Sequence, residues 1–326
     1  MRSSRRDLTD LSRSVGGVLL AVGAVVVLAR KSGEDRWGDF ARVLITGAPA
    51  IVLYMLAVGA VERDRINDGE SWRAILLVAS ILLGTVAQFE LLRWIGADTT
   101  NALWSAGVFA VSGLLAGYGA QRATVPYGAL LAGLAALSAW LLTCAKILGD
   151  PSTDTIRWLL VAGGGLLFVA ASAIARRDAL GAREVAIAGG IAAVAAGVLG
   201  VFVGYFVSIF RGFVSSVRAL PHSGSSHSAF EFPGIAHASG LQSFGWDLYL
   251  LLVSLGLVWI GSRVRARGLG YVGTAGLFGF VISVSTQITR LESGHAPSSS
   301  LAGWPLALVG IGAVALIAPA VYRRDQ

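Results

Sequence analysis

Long apolar stretches recur along almost the whole chain, with short polar connections between them. Each is close to the roughly 20 residues that a helix needs to cross about 30 Å of hydrocarbon. The stretches lack the alternating period of barrel strands, and helices are the other structure that satisfies the backbone in lipid. The pattern predicts an all-α, polytopic transmembrane helical bundle of about ten spans, at about 15–30, 43–61, 74–95, 102–119, 128–148, 157–175, 184–210, 246–262, 269–288 and 302–321.

The same pattern leaves no separate soluble domain. Residues 1–13 form a polar head, and residues 14–326 form a single transmembrane helical domain with an outer loop at about 211–245. From Phe206 to Leu220, apolar residues recur at three- and four-residue steps. We therefore expect the seventh helix to continue past the membrane core and bend into the interface.

The composition agrees with this class, because 55% of the residues are hydrophobic, 14% are charged and the mean hydropathy is +0.70. A soluble domain could not hide so much apolar surface. The net charge of +7 does not call for a nucleic-acid partner, since the arginines are divided among short loops. The predicted partner is the lipid bilayer, with anionic headgroups at the cytoplasmic arginine clusters.

The distribution of basic residues predicts the orientation. Sixteen of the 26 Lys and Arg residues fall on the side that holds both termini, and ten fall on the other side. The positive-inside rule then places both termini in the cytoplasm and the chain in the inner membrane. The segment from Arg30 to Arg42 opposes this bias.

Small residues are abundant, with 42 glycines. Glycines that recur at three- or four-residue steps place small residues on one helix face. Such faces let two helix backbones approach closely in lipid, so we expect close helix contacts there. A tight monomeric bundle and a dimer through one of these faces both fit, so the oligomeric state stays open. The clearest examples are Gly113 with Gly117, and Gly270, Gly273, Gly276 and Gly279.

Polar side chains within spans are the candidate functional residues, because each is costly in lipid. Near the outer end of the third span lie Gln88, Glu90 and Arg93, and the last two are three residues apart, so they can pair on one helix face. The ninth span ends with Gln287 and Arg290 on the same outer side. We expect these five side chains to approach one another within the bundle, where a structural clasp and a polar pocket are the two open interpretations.

Other polar groups are predicted to be ordinary surface. Asp150, Asp154 and Arg157 form an expected surface charge cluster. The histidines are interpreted as solvated loop residues rather than metal ligands, because their spacing matches no tight metal motif. The sequence shows no phosphate loop or nucleophile elbow, so it predicts no catalytic residue, cofactor or metal ligand. The histidines are His222, His227, His237 and His295.

An internal repeat is a further hypothesis. The runs that begin at Val15 and Val161 are similar, and both end in basic residues. They open the first and sixth spans, so they would relate two inverted halves of five helices, as in many transporters. Chance similarity between runs of Gly, Ala, Leu and Val is the alternative.

The stretch from about residue 15 to 142 carries a resemblance. A first helix ends in Ala29-Arg30-Lys31, and a linker with Arg36-Trp37 leads into the second. The third helix contains Gly84 and Gln88, and Leu103-Trp104 opens the fourth. This order resembles the bacterial predicted membrane proteins of the domain-of-unknown-function 2157 family. The resemblance implies a polytopic inner-membrane protein and supplies no established reaction.

Three classes of function remain open. The first is a non-enzymatic membrane protein with a structural or regulatory role. The second is a ten-helix secondary transporter of a small solute, although the spans hold few central charges and one mid-span proline, Pro49. The third is an intramembrane enzyme acting on lipid, although no convergent acid and base set is visible.

The orientation gives a first testable prediction. A reporter fused after Gln326 should be active only if it works in the cytoplasm, because the arginine bias keeps that terminus inside. Paired fusions to a cytoplasmic and a periplasmic reporter measure this directly. Activity of the periplasmic reporter would contradict the predicted topology.

Overall fold

The computed structural model describes residues 15–28, 38–59, 71–99, 101–123, 127–149, 151–218, 244–264 and 266–292. All regular secondary structure in these ranges is α-helical. The helices are α1 (Val15–Leu28), α2 (Asp39–Gly59), α3 (Ser71–Trp94), α4 (Ala102–Ala123), α5 (Gly128–Leu148), α6 (Thr153–Ile174), α7 (Ala179–Arg218), α8 (Phe244–Arg263) and α9 (Arg267–Glu292).

Within the described ranges, seven helices, α2 to α8, are long and apolar enough to cross a membrane. They indicate an integral membrane protein, which confirms the predicted all-α membrane class. The predicted number of about ten spans is not confirmed. The first predicted span is a shorter apolar helix of about 21 Å, and the tenth, at 302–321, lies outside the described residues.

Neighbouring helices pack as hairpins. The most extensive contacts join α2 to α3, α4 to α5, α6 to α7 and α8 to α9, as short connections favour. Helix α7 also contacts α5, α8 and α9, and half of its spanning part is buried. It is therefore the central helix of the second half of the bundle.

Helix α1 lies along α3 in the same direction. A side chain at Gly17 would meet Leu76, and seven residues further along, Ala24 packs in one cluster with Leu83. The contact therefore advances by seven residues towards the C-terminus on both helices, from Gly17 to Ala24 and from Leu76 to Leu83, so the two helices run parallel. We call the end with the N-termini of α1, α3, α5 and α7 the inner end, and the opposite end the outer end, after the predicted orientation.

Helix α7 is 40 residues long, or about 60 Å, roughly twice the thickness of the hydrocarbon core. Its apolar spanning part is Ala179–Leu199, and the helix continues to Arg218. The predicted helical continuation after Phe206 is therefore present as far as Arg218. Leu220 and most of the predicted outer loop lie outside the described residues.

The predicted glycine ladder on α9 forms much of its contact with α8. A Cβ atom at Gly273 would lie 2.7 Å from the backbone oxygen of Ser254, and one at Gly276 would collide with the side chain of the same serine. A Cβ atom on Gly270, in contrast, would meet nothing within 4 Å, although the backbone of Gly270 lies against Gly261 of α8, where a Cβ atom would be 2.7 Å from the nitrogen of Gly270. The first glycine of the predicted ladder therefore contacts α8 through its backbone and leaves room for a side chain.

This difference gives a prediction with a matched control. Gly273→Ala should lower the free energy of unfolding by about 1–3 kcal/mol, because a backbone atom must move to admit the methyl group. Gly270→Ala should be neutral or stabilise by up to about 1 kcal/mol, because alanine favours the helix and meets nothing. Thermal unfolding of both variants in detergent tests this. Equal effects would contradict the described α8–α9 contact.

Candidate functional site

Three helices bring buried polar side chains together at the outer end of the bundle. Asp247 near the start of α8 is 2% exposed, Ser283 on α9 is 1% exposed and Arg157 near the start of α6 is 5% exposed. With Asp154 and Trp246, we call this set the Asp247 cluster. Asp247 and Arg157 are the two most deeply buried ionisable side chains in the part of the chain that the structure describes, whereas Asp154 is exposed.

A short hydrogen bond joins α8 to α9 in this cluster. The Oγ of Ser283 donates to Oδ1 of Asp247 at 2.7 Å. An ionised carboxylate only accepts hydrogen bonds, so the serine hydroxyl is a matched donor. Asp247 also lies in the first turn of α8, where the helix dipole favours a negative charge. Both contacts offset part of the cost of burying the carboxylate.

The predicted surface charge cluster is wrong for Arg157, which is buried. Its Nη1 donates to Oδ1 of Asp154 at 3.1 Å, and the side chain of Asp154 is 72% exposed. The guanidinium itself is buried and lies 4.9 Å from the ring centroid of Trp246 on α8. Arginine stacks well on an indole face, and this explains why the side chain turns into the bundle.

Aromatic rings extend the cluster towards α7. The ring of Trp246 lies 5.4 Å from that of Trp158 and 5.3 Å from that of Tyr249. The hydroxyl of Tyr249 donates to the carbonyl oxygen of Ala193 at 3.1 Å. These contacts tie α6, α7 and α8 together around the charged groups.

The predicted residues of the third span lie on α3 at the same outer end. The Nη1 of Arg93 donates to Oε1 of Glu90 at 3.0 Å, and the glutamate is buried while the arginine is largely exposed. The Nε2 of Gln88 donates to Oγ of Ser112 at 3.2 Å, which joins α3 to α4. The hydroxyl of Thr85 lies 2.8 Å from the same serine oxygen.

The other half of the predicted pocket stays a prediction. Gln287 and Arg290 lie in α9, and for these two residues the structure describes the helical backbone alone. The described contacts of α3 are with α1, α2, α4 and α5, and those of α9 are with α7 and α8. The hydrogen-bond partners described for Gln88 and Glu90 are on α4 and on α3 itself, respectively.

Sequence reasoning missed one buried carboxylate, at the inner end. Glu184 on α7 is 7% exposed and accepts hydrogen bonds from three backbone N–H groups, at 2.7 Å from Tyr127, 3.0 Å from Ala129 and 3.2 Å from Leu130. These are the groups that the start of α5 leaves without helical partners. Tyr127 has a φ of 70° and supplies no side-chain cap. We call this contact the Glu184 cap.

A signal for the Glu184 cap was present in the sequence. Helix α5 begins without a Ser, Thr, Asp or Asn at its cap position, and Glu184 is an acidic residue in a long apolar run. Neither fact identifies the other partner, since the residues are 57 positions apart. Folding alone brings them together.

No group of three or more His, Cys, Asp or Glu side chains within the described ranges could hold a metal ion. The loop histidines lie outside those ranges. Their predicted solvation therefore stays a prediction.

The Glu184 cap gives a stability prediction. Glu184→Ala should lower the free energy of unfolding by on the order of 1–3 kcal/mol, because buried N–H groups at the start of α5 lose a charged acceptor. The neighbouring exposed residue is the control, and Arg183→Ala should change stability by less than about 0.5 kcal/mol. Thermal unfolding of both variants is the measurement. Similar losses in the two would show that the cap adds nothing.

Comparisons with known proteins identify no relative, since no family model, no curated protein and no solved structure matches the chain. Its function is therefore inferred from the residues themselves.

Proposed function

We propose that the protein is a non-enzymatic inner-membrane helical bundle with a structural or regulatory role. One observation carries this proposal: buried polar side chains are used to join helices. Asp247 binds Ser283 across α8 and α9, and Gln88 binds Ser112 across α3 and α4. Glu184 caps α5 from α7. Such contacts stabilise membrane bundles by about 0.6–2 kcal/mol each.

The location follows from the arginine distribution. It supports an inner-membrane protein with cytoplasmic termini. The resemblance to the 2157 family supports the same location. The bilayer is then the first partner of the protein, with anionic headgroups at the inner arginines.

A second candidate function is a secondary transporter of a small polar solute. The Asp247 cluster favours it, because Arg157 and Asp247 are opposite charges buried at one end of the bundle. Ionisable residues inside membrane bundles often mark solute or ion pathways. A solute with both an acidic and a basic group would match these side chains.

One experiment distinguishes the classes. The purified protein is reconstituted in vesicles that are loaded with a mixture of amino acids, sugars, organic acids and inorganic ions. Under the structural or regulatory proposal, solute loss equals that of protein-free vesicles and the lipids are unchanged. Protein-dependent solute loss would overturn the proposal in favour of transport, and new lipid products would overturn it in favour of an enzyme.

Two aspartates provide the matched variants. Asp247→Asn should lower the unfolding temperature and leave solute loss at background, because it weakens the bond to Ser283. Asp154→Asn should have a smaller effect on stability, because that side chain is 72% exposed and such surface pairs contribute about 0–1 kcal/mol. If transport is observed and only Asp247→Asn abolishes it, the Asp247 cluster is the solute site.

A further inference from the structure

Helix α8 ends at the inner end of the bundle with an exposed arginine. Its Leu250 lies against Gly197 of α7, and its Leu257 lies against Gly190, which is nearer the start of α7. Helices α7 and α8 are therefore antiparallel, and α8 reaches the inner end at its last residue, Arg263. The side chain of Arg263 is exposed there.

The guanidinium of Arg263 is held against an indole that is itself exposed. Its Cζ atom lies 5.1 Å from the ring centroid of Trp259, one turn earlier on α8, and Trp259 is 59% exposed. Stacking uses the face of the guanidinium and leaves the N–H donors along its edge, which match the oxygens of a phosphate. An arginine and a tryptophan at the end of a spanning helix suit the headgroup layer of a membrane.

The described acidic groups at this end are engaged elsewhere. The sequence from 248 to 289 contains Arg263, Arg265 and Arg267 and no Asp or Glu. Asp178, in the turn before α7, accepts hydrogen bonds from the first backbone N–H groups of that helix, and Glu184 caps α5. Neither ion pair found among the described side chains includes Arg263. An anion from outside the protein would therefore complement this charge.

An exposed apolar stripe leads along α8 to Arg263. Leu252 is 60% exposed and Leu255 is 48% exposed, and with Trp259 they recur at three- and four-residue steps on one helix face. From Leu252 to Arg263 the stripe follows about 17 Å of helix axis, close to the roughly 15 Å of one hydrocarbon leaflet. A phospholipid has a phosphate and an acyl chain at this separation, whereas a soluble anion would contact the arginine alone.

We propose that this face of α8 binds an anionic phospholipid of the inner-end leaflet, with the headgroup phosphate at Arg263 and an acyl chain along Leu255 and Leu252. The inference rests on the membrane location in the proposed function and adds a defined lipid site to it. Solute loss or new lipid products in the vesicle experiment would overturn the structural or regulatory role and leave this site standing. Lipid labelling decides the site by itself.

The test compares two photoreactive lipids. The full chain is reconstituted in vesicles of phosphatidylcholine and phosphatidylglycerol, with a trace of one lipid or the other carrying a photoreactive acyl chain. After illumination, mass spectrometry measures the labelling of α8 and, as a reference, of the exposed face of α4 around Leu114. Relative to that reference, phosphatidylglycerol should label α8 about fivefold more than phosphatidylcholine does.

Two arginines of the same turn provide matched variants. Arg263 and Arg267 are both exposed, but Arg263 alone ends the α8 stripe and stacks on Trp259. Arg263→Gln should lower the labelling preference for phosphatidylglycerol by about fivefold, whereas Arg267→Gln should lower it by less than about twofold. Arg263→Lys should retain the preference, because the charge stays at the end of the stripe. Each variant is first checked for the wild-type elution profile.

Several results would overturn the site. An unchanged preference in Arg263→Gln would do so, as would equal losses in Arg263→Gln and Arg267→Gln, which general attraction between charges would give. A loss in Arg263→Lys as large as that in Arg263→Gln would overturn the phosphate assignment. Displacement of the lipid probe by excess glycerol phosphate would indicate a soluble ligand instead. Crosslinks from the α8 stripe to residues 302–321 or to a second copy of the chain would indicate a protein partner.

Discussion

Close contact between helix backbones at small residues is the constraint on which the rest of the bundle depends. In lipid, a helix gains little by hiding apolar side chains from an apolar solvent, so packing must provide the attraction. The clearest case joins α6 to α7, where a Cβ atom at either Gly164 or Gly189 would lie 3.0 Å from the carbonyl oxygen of the other. On the next faces of α7, Ala188 and Ala192 are fully buried. The long central helix therefore contacts several neighbours through its small residues.

Polar contacts follow from this packing and lie towards the ends of the helices. The Glu184 cap is at the inner end, and the Asp247 cluster and the Glu90–Arg93 pair are at the outer end. The free-energy cost of an ionised side chain is smaller near the ends of the spanning helices than at the bilayer centre. Long side chains there can also extend to the interface. The middle of the described bundle is joined mainly by small side chains and hydroxyls, such as Ser112.

Helix α1 differs from the rest because its described part packs along one narrow face. Its Gly17, Ala21 and Ala24 contacts are of the same small-residue kind, but they leave one side of the helix without a protein neighbour among the described residues. The result is an apolar groove between α1 and α3, lined among others by Val22 and Val78.

The sequence by itself determined the membrane class, most helix positions and the Glu90–Arg93 pair. These depend on local properties, namely the length of an apolar run and the three-residue step that places two side chains on one helix face. The tertiary structure alone decided which faces meet. Apolar residues lie on every side of these helices, so hydropathy does not distinguish a face towards lipid from a face towards protein. For this reason the burial of Arg157 beside Trp246, the capping of α5 by Glu184 and the groove along α1 became visible only after the helices were packed.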